Sequence, residues 1–428
     1  MRSCSLLTGL LALLLSSAAS ADHPAEGPAT LRQLIAEATG QNLEIQQAGK
    51  DLEAKRAEVR ARFGAYLPEV SIAGGAQSTK LDEARSSGPA LYGVAEWNLY
   101  RGGVDRAAYE RARLESEFLE RQTEIVKARV SRAVAQAYFD LLFLDESVAL
   151  KETALAMNGE QMKLARAKMS SGFTSNADVI EFELREATLR SDLQELGRER
   201  GAQTLGLTAL LGRKDAAATI GIRGHLQRDP FRPKSAALLD QVATNNPEVL
   251  AAQQALRASE IDKSVARAGY LPTLSLEAQF GRILTDDAVY KQNNNFRGSL
   301  LFKVPLFSGL STKNSVRAAT LITERQDLEL SRQKIGARVA LENIVARMSS
   351  LQDRLDLEER TLSRSEEYYK LTLGEYKRGV KNSPDMVGAA ERLIEARLRN
   401  LQFRKDFQLA KLELFSLTGS SFPDSQDL

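Results

Sequence analysis

The sequence predicts a mainly helical, internally duplicated chain: long α-helical coiled coils plus four β-strands that contribute to a membrane β-barrel. Three observations predict it. One pattern runs through the chain twice at a nearly constant offset. Each copy holds about 68 residues with the composition of an uninterrupted helix. Each copy also holds two stretches in which apolar and polar residues alternate.

The duplication is read residue by residue. Laid over 244–276, residues 39–72 bring Asn42 onto Asn246, Glu44 onto Glu248, Tyr66 onto Tyr270 and Pro68 onto Pro272, an offset of 204. Further on, Leu99, Gly102, Gly172, Asp178 and Gly212 fall on Leu306, Gly309, Gly379, Asp385 and Gly419, an offset of 207. The two copies therefore differ by three residues between the positions of Pro68 and Gly102, the second copy being the longer. The division that follows is a signal peptide over 1–21, a first repeat over 22–215, an inter-repeat segment over 216–234, a second repeat over 235–420 and a flexible tail over 421–428.

The elements follow in order. Arg2, the apolar run Leu6 to Leu15 and the small-residue site Ala19-Ser20-Ala21 read as a signal peptide, with the mature chain starting at Asp22. Cys4 is the only cysteine and lies inside that segment, so neither a disulfide nor a lipid anchor is expected. A helix of moderate length is expected over 31–63 and again over 235–268. Pro68 and Pro272 end these helices, because the residue before proline avoids the helical region. Alternating stretches follow, a hairpin at about 68–99 and another at about 272–306. Val70, Ile72, Leu91, Trp97 and Leu99 oppose Ser71, Glu96 and Asn98; Leu274, Leu276, Phe280, Phe296, Leu300 and Phe302 oppose Ser275, Glu277, Arg297 and Lys303. Such strands match a barrel with a lipid-facing outside and a wet lumen, and Trp97, Tyr100, Phe302 and Phe307 suit its interfacial girdle. The segments at 78–89 and 282–295 read as polar loops.

Long helices are expected over 103–170 and 310–377. Residues 104–146 contain no Gly or Pro and are rich in Ala, Leu, Glu and Arg. Ala107, Ala108, Leu114, Phe118, Ile125, Ala128, Ala133 and Leu141 share a face roughly at helical spacing. About 68 residues make a helix about 100 Å long, which no compact core needs. Gly-containing turns at about 171–176 and 378–383 lead into return helices over 177–211 and 384–417. Two moderate helices stacked end to end match one long helix, with the irregular segment 212–235 as a collar where they meet.

The composition excludes much. Net charge is +2, from 58 basic and 56 acidic residues, so no field draws nucleic acid. His23 and His225 have no metal-ligand spacing, "GLTALLGRKD" lacks the phosphate-loop pattern, and no nucleophile motif is present. No enzyme and no cofactor are expected. Four strands cannot close a membrane barrel, which takes at least eight. Two copies would give eight and three would give twelve, and the residues alone do not choose.

The chain resembles the TolC family of outer-membrane efflux channels. The resemblance is carried by the duplicated Tyr-Leu-Pro at 66–68 and 270–272, "VPLFSGL" at 304–310 and "YKRGVKNSPDMVGAAERL" at 376–393, and it covers nearly all of the mature chain. It implies a homotrimer with a shared 12-stranded barrel in the outer membrane of a Gram-negative bacterium and one periplasmic helical tunnel. It implies the role of exit duct for a tripartite efflux pump or for type I protein secretion. The partners would be a periplasmic adaptor (membrane fusion protein), an inner-membrane transporter of RND, ABC or MFS type, and outer-membrane lipid. It places the gate at the periplasmic tip: Asp385 matches a constricting acidic ring, and Lys381, Tyr376 and Asp178 match a latch. The second acidic position of the family is Gly388 here. Gly172, Phe173, Arg378, Gly379 and Val380 match the tip turns where the adaptor docks. A rival class is an exported coiled-coil protein without a pore, which does not account for the strand pairs.

Overall fold

The computed structural model describes residues 28–81, 84–213, 220–283 and 295–419. The signal peptide, the tail and most of the second hairpin loop lie outside the described residues.

The helix expected over 31–63 is two helices, α1 (Leu31–Gln41) and α2 (Leu43–Phe63), with non-helical backbone at Asn42 between them. The Asn42 side chain accepts hydrogen bonds from the Glu44 and Ile45 N–H groups at 2.9 and 3.3 Å, which caps α2. Its amide donates to the Leu210 carbonyl at 2.7 Å. A 3-10 turn at Gly64–Tyr66 ends α2 before Pro68.

Strands β1 (Glu69–Leu81) and β2 (Ala84–Arg101) form the first hairpin. The polar segment expected as a loop at 78–89 is largely strand, because antiparallel pairing continues to Leu81 and Ala84. Outside an apolar layer, backbone pairing alone extends a hairpin, and polar side chains do not oppose it.

Helix α3 (Val104–Ser170) follows, 67 residues and about 100 Å long. Its buried seam is Thr123, Val126, Val130, Val134, Ala137, Leu141 and Leu144, spaced by three and four as in a coiled coil. The seam expected through Ile125, Ala128 and Ala133 is displaced, because these residues are not buried. An alanine-rich helix is apolar on several sides, and here helices α1, α2, α4, α6 and α8 all lie against it.

Helix α4 (Asn176–Leu211) returns along α3 and ends at Gly212 in the left-handed region, φ 75°. A Cβ there would stand 2.5 Å from the Gln41 carbonyl oxygen. Glycine therefore lets the end of α4 butt against the α1–α2 break. The 21 residues of α2 and the 36 of α4 together run most of the length of α3.

The second half repeats this order: α5 (Ser235–Asn245), α6 (Pro247–Ala268), β3 (Thr273–Ile283), β4 (Asn295–Lys303), α7 (Ser311–Arg378) and α8 (Ser383–Thr418). Asn246 caps α6 through the Glu248 and Val249 N–H groups and donates to the Leu417 carbonyl at 3.1 Å. Asn42 with Leu210 and Asn246 with Leu417 are the same joint in two copies.

Between the halves, residues 220–234 run as an irregular strap over α3, α7 and α8. Ala29 and Ile222 form a short parallel bridge. The Tyr138 hydroxyl donates to the Arg223 carbonyl at 2.7 Å. The Leu226 N–H donates to Glu146 at 2.8 Å, and Gln352 donates to the Phe231 carbonyl at 2.7 Å. Lys411 of α8, 4% exposed, pairs with Asp229 at 2.6 Å.

The four strands make one antiparallel sheet in the order β1-β2-β3-β4, so β1 and β4 are free edges. No described helix is long and apolar enough to cross a membrane.

Candidate functional sites: the sheet and the helical tip

Direct partners in an antiparallel sheet point to the same face. Val70 and Ile72 pair with Ala95 and Gly93, which pair in turn with Ala278 and Phe280. Leu274, Leu276 and Phe280 pair with Phe302, Leu300 and Phe296. The apolar sets of all four strands thus fall in register on one face. Ser71, Glu96, Asn98, Ser275, Glu277, Gln279, Arg297, Ser299 and Lys303 share the other, with Tyr92, Val94 and Leu301 as apolar exceptions. On the apolar face Val70, Ile72 and Phe296 are 75, 81 and 72% exposed. Strands β3 and β4 have 11 and 9 residues, close to the 9–11 or so that span a bilayer at a tilt.

A bulge changes one assignment. The β2–β3 register shifts between Asn98 and Tyr100, so Leu99 is the extra residue and Tyr100 pairs with Leu274. Strict alternation would place Trp97 and Tyr100 on opposite faces. The bulge brings both to the apolar face, where Tyr100 and Phe302 share the partner Leu274, and Trp97 and Leu300 share Leu276. Leu99, expected there, gives up the place to Tyr100. Phe307 lies past the end of β4 and is 82% exposed.

Where the rod meets the sheet, the Trp97 indole N–H donates to the Tyr66 carbonyl at 3.0 Å. Tyr66 also closes a ring trio with Phe63 and Tyr109, centroids 5.7–6.4 Å apart. Pro68 and Pro272 each stand just before a strand, and Tyr270 is half exposed at the second junction.

The other end carries the tip. Gly172 and Gly379 turn the chain at φ 77° and 82°. Phe173 and Val380, the next residue in each turn, are 84 and 70% exposed, and Arg378 is exposed beside them. Beneath the turns Met162, Ala165, Val179, Phe182, Tyr376, Met386 and Val387 form a small core. Tyr376 is buried there, edge-on to Phe182 at 6.1 Å between centroids. Its hydroxyl lies 3.4 Å from the Ser383 hydroxyl. Burial pushes the Tyr376 phenol above its ordinary range.

Two polar links join the α3–α4 turn to the α7–α8 turn. The Lys168 ammonium donates to the Tyr376 carbonyl and sits 4.1 Å over that ring. The Ser383 N–H, at the start of α8, donates to Asp178 at 3.3 Å. Burial raises Asp178, but hydrogen bonds from the Thr174 and Ser383 hydroxyls and the Ser383 and Ser175 N–H groups outweigh it. They hold the carboxyl below its ordinary range. Asp385 accepts from the Asn382 N–H at 3.4 Å, and Lys381 lies 3.9 Å from it. Within one chain, then, Lys381 stands beside Asp385, and Asp178 is held by Ser383. The sequence reading missed Lys168, Phe182 and Ser383. A cation in the last turn before Gly172 was the one signal available for Lys168.

Comparison with known proteins places this geometry. A family model described as outer membrane efflux protein matches residues 34–213 and 238–420. The TolC outer membrane protein of Vibrio cholerae is 22% identical over 437 residues, 96% of this chain and 95% of the relative. The probable efflux pump outer membrane protein TtgC of Pseudomonas putida is 23% identical over 411 residues, 92% of this chain and 83% of the relative. Among solved structures, the outer membrane protein VceC of Vibrio cholerae aligns with TM-score 0.79 at 19% identity, covering 92% of this chain and 96% of that one. The open-state MtrE outer membrane channel of Neisseria gonorrhoeae aligns with TM-score 0.78 at 19% identity, covering 91% and 89%. With both halves matched, strands and tips included, the chain belongs to the outer membrane efflux protein family, a family of channels and not of enzymes.

Proposed function

We propose that three copies of this chain form an outer-membrane channel-tunnel, the exit duct of a tripartite pump that moves small molecules or ions across periplasm and outer membrane. One observation carries the reading: a four-stranded sheet, apolar on one registered face, with two open edges. Unpaired strand edges in lipid leave backbone groups unsatisfied at several kcal/mol or so each. The sheet must therefore close with other copies. Three copies give twelve strands, above the minimum of about eight. The efflux names of the relatives support the transport role. The helices continue the barrel as a periplasmic tunnel.

At the tip, Asp385 from three copies forms an acidic ring that favours cations. Lys381 and Asp178 do not pair within a chain, so the latch they form lies between neighbouring copies. Gly172, Phe173, Arg378, Gly379 and Val380 present the exposed turn surface to a periplasmic adaptor. The adaptor couples the duct to an inner-membrane transporter that supplies the energy.

The test is membrane fractionation followed by planar-bilayer recording. Protein recovered from the outer membrane as a trimer, giving discrete single-channel currents, is expected. Recovery as a soluble rod with no conductance would overturn the reading.

A further inference from the structure

The two hairpins of this chain are superposable in register, and that makes the contact between them a template. Glu69 pairs with Glu96 in the first hairpin and Thr273 with Lys303 in the second. The shifts are 204 for β1 to β3 and 207 for β2 to β4, the offsets of the sequence repeat. So β2 is to β3 what β4 is to β1 of the next copy.

One segment is unfinished in the single chain. Strand β2 continues past Glu96 to Arg101 by pairing only with β3: Trp97 with Leu276, Asn98 with Ser275, Tyr100 with Leu274 and Arg101 with Thr273. The equivalent residues Val304–Ser308 have no such partner, and β4 stops at Lys303. Their exposure shows it. Trp97, Leu99 and Tyr100 are 39, 41 and 43% exposed, but Val304, Leu306 and Phe307 are 45, 94 and 82%. The turn that follows tells the same story. A Cβ on Gly102 would stand 2.8 Å from the Ala268 carbonyl oxygen and 3.1 Å from the Leu271 Cβ, so β2 meets the end of α6 closely. Its equivalent Gly309 has nothing within 4 Å. By the same offset, Gly64 and Leu67 are the equivalents of Ala268 and Leu271, and Leu67 is 58% exposed.

We infer that the seam between copies copies the seam inside the chain. Residues 304–308 of one copy become strand against Glu69–Ile72 of the next. Val304 pairs with Ile72, Lys303 with Ala73 and Leu301 with Gly75. Leu306 is the bulge, in the place of Leu99, and Phe307 pairs with Val70. Gly309 seats on the backbone around Gly64. This register keeps faces consistent: Phe302 meets Gly74 and Val304 meets Ile72, all on the apolar face. Pro305 takes the place of Asn98, beside the bulge, where a missing N–H is tolerated. The other candidate cover for Leu306 and Phe307 is lipid alone. Lipid would leave the backbone of 304–308 unpaired and Gly309 without a neighbour. The inference rests on the multi-copy reading above and adds its register.

Disulfide trapping tests it in the full chain in outer-membrane vesicles, where Cys4 is the only native cysteine. The variants are Leu301→Cys with Gly75→Cys and Val304→Cys with Ile72→Cys. Lys303→Cys with Ala73→Cys is a third pair, should either of these misassemble. A Cβ at Gly75 meets nothing within 4 Å, so that substitution is sterically free. On oxidation, covalent dimers and trimers are expected from each pair. Leu301→Cys with Ser71→Cys, four residues out of register, is expected to stay monomeric on a denaturing gel. Trapping at 301 with 71 and not with 75 would overturn the register while leaving assembly intact. An oligomer that none of the pairs traps, with maleimide labelling at position 304 slowed only by lipid, would overturn the seam. A chain that is monomeric by mass in detergent removes both the seam and the assembly it rests on.

Discussion

At Asn42 one side chain does two jobs. Its oxygen caps α2 and its amide holds the Leu210 carbonyl at the end of α4. Asn42→Ala removes the cap, a loss of about 1 kcal/mol, and leaves a carbonyl unpaired in a closed joint. A drop of about 2 kcal/mol in chemical denaturation is expected. Asn42→Asp keeps the cap but lacks the donor, and should lose about half as much. Equal losses for the two variants would mean that the cap contributes nothing, and an undiminished stability in Asn42→Asp would mean that the bond to Leu210 contributes nothing. Lys411 makes the contrasting case. It is buried, paired with Asp229 of the strap and 5.4 Å from the Phe231 ring. Removing Asp229 breaks a buried ion pair, at a cost of about 3 kcal/mol or more. Asp229→Ala should therefore lower the thermal midpoint far more than Glu53→Ala, whose pair with Lys50 is exposed. Similar midpoints for the two would sink the view that the strap is anchored through this charge.

At the scale of elements, the tip turns act as one unit because Lys168 and Asp178 tie the α3–α4 turn to the α7–α8 turn. Asp178 sets the pH window. Its carboxyl is held below its ordinary range, so the tie is fully present above the unfolded value, about 3.9. The tie is lost as pH falls through the lower folded value. Spin labels at Phe173 and Val380 should report a narrow distance distribution at pH 6 that broadens only below about pH 4. Asp178→Asn should broaden it already at pH 6. An unchanged width in that variant would place the tie elsewhere. The long helices and the strands were legible because their periods are local: alternation over about ten residues, and some sixty without proline. The tip glycines were legible for the same reason. The break at Asn42 was less so, although Pro247 in the second copy marks it. The true seam of α3 was hidden because alanine makes several faces look alike. Lys168, Phe182 and Ser383 were hidden because their partners lie some two hundred residues away, and no local pattern encodes such a contact.

For the whole molecule the decisive question is how weak contacts hold a tip closed. Lys381 and Asp385 are each about 39% exposed and stand 3.9 Å apart, so within a chain the pair is a solvated one. An exposed pair contributes about 0.2–1 kcal/mol, and three copies together about 0.6–3 kcal/mol. That range changes a closed-to-open ratio by about 3-fold to 150-fold, enough to gate and small enough for an adaptor to reverse. The two charges should then separate in experiment. In the proposed latch, Lys381→Glu puts a carboxylate against Asp178 of the next copy and beside its own Asp385, so the closed tip is disfavoured. Single-channel conductance in a bilayer should rise. Asp385→Ala removes the charge of the proposed ring but not the proposed latch, so cation preference should fall while conductance in symmetric salt stays near that of the native protein. Salt sharpens the distinction, since exposed charges more than about 8 Å apart are screened at physiological ionic strength. Raising the salt should therefore shrink the selectivity difference while Lys381→Glu stays the more conductive channel. If Lys381→Glu conducted no more than the native protein and Asp385→Ala kept its selectivity, the tip would be held by its buried core around Tyr376, with the surface charges as bystanders.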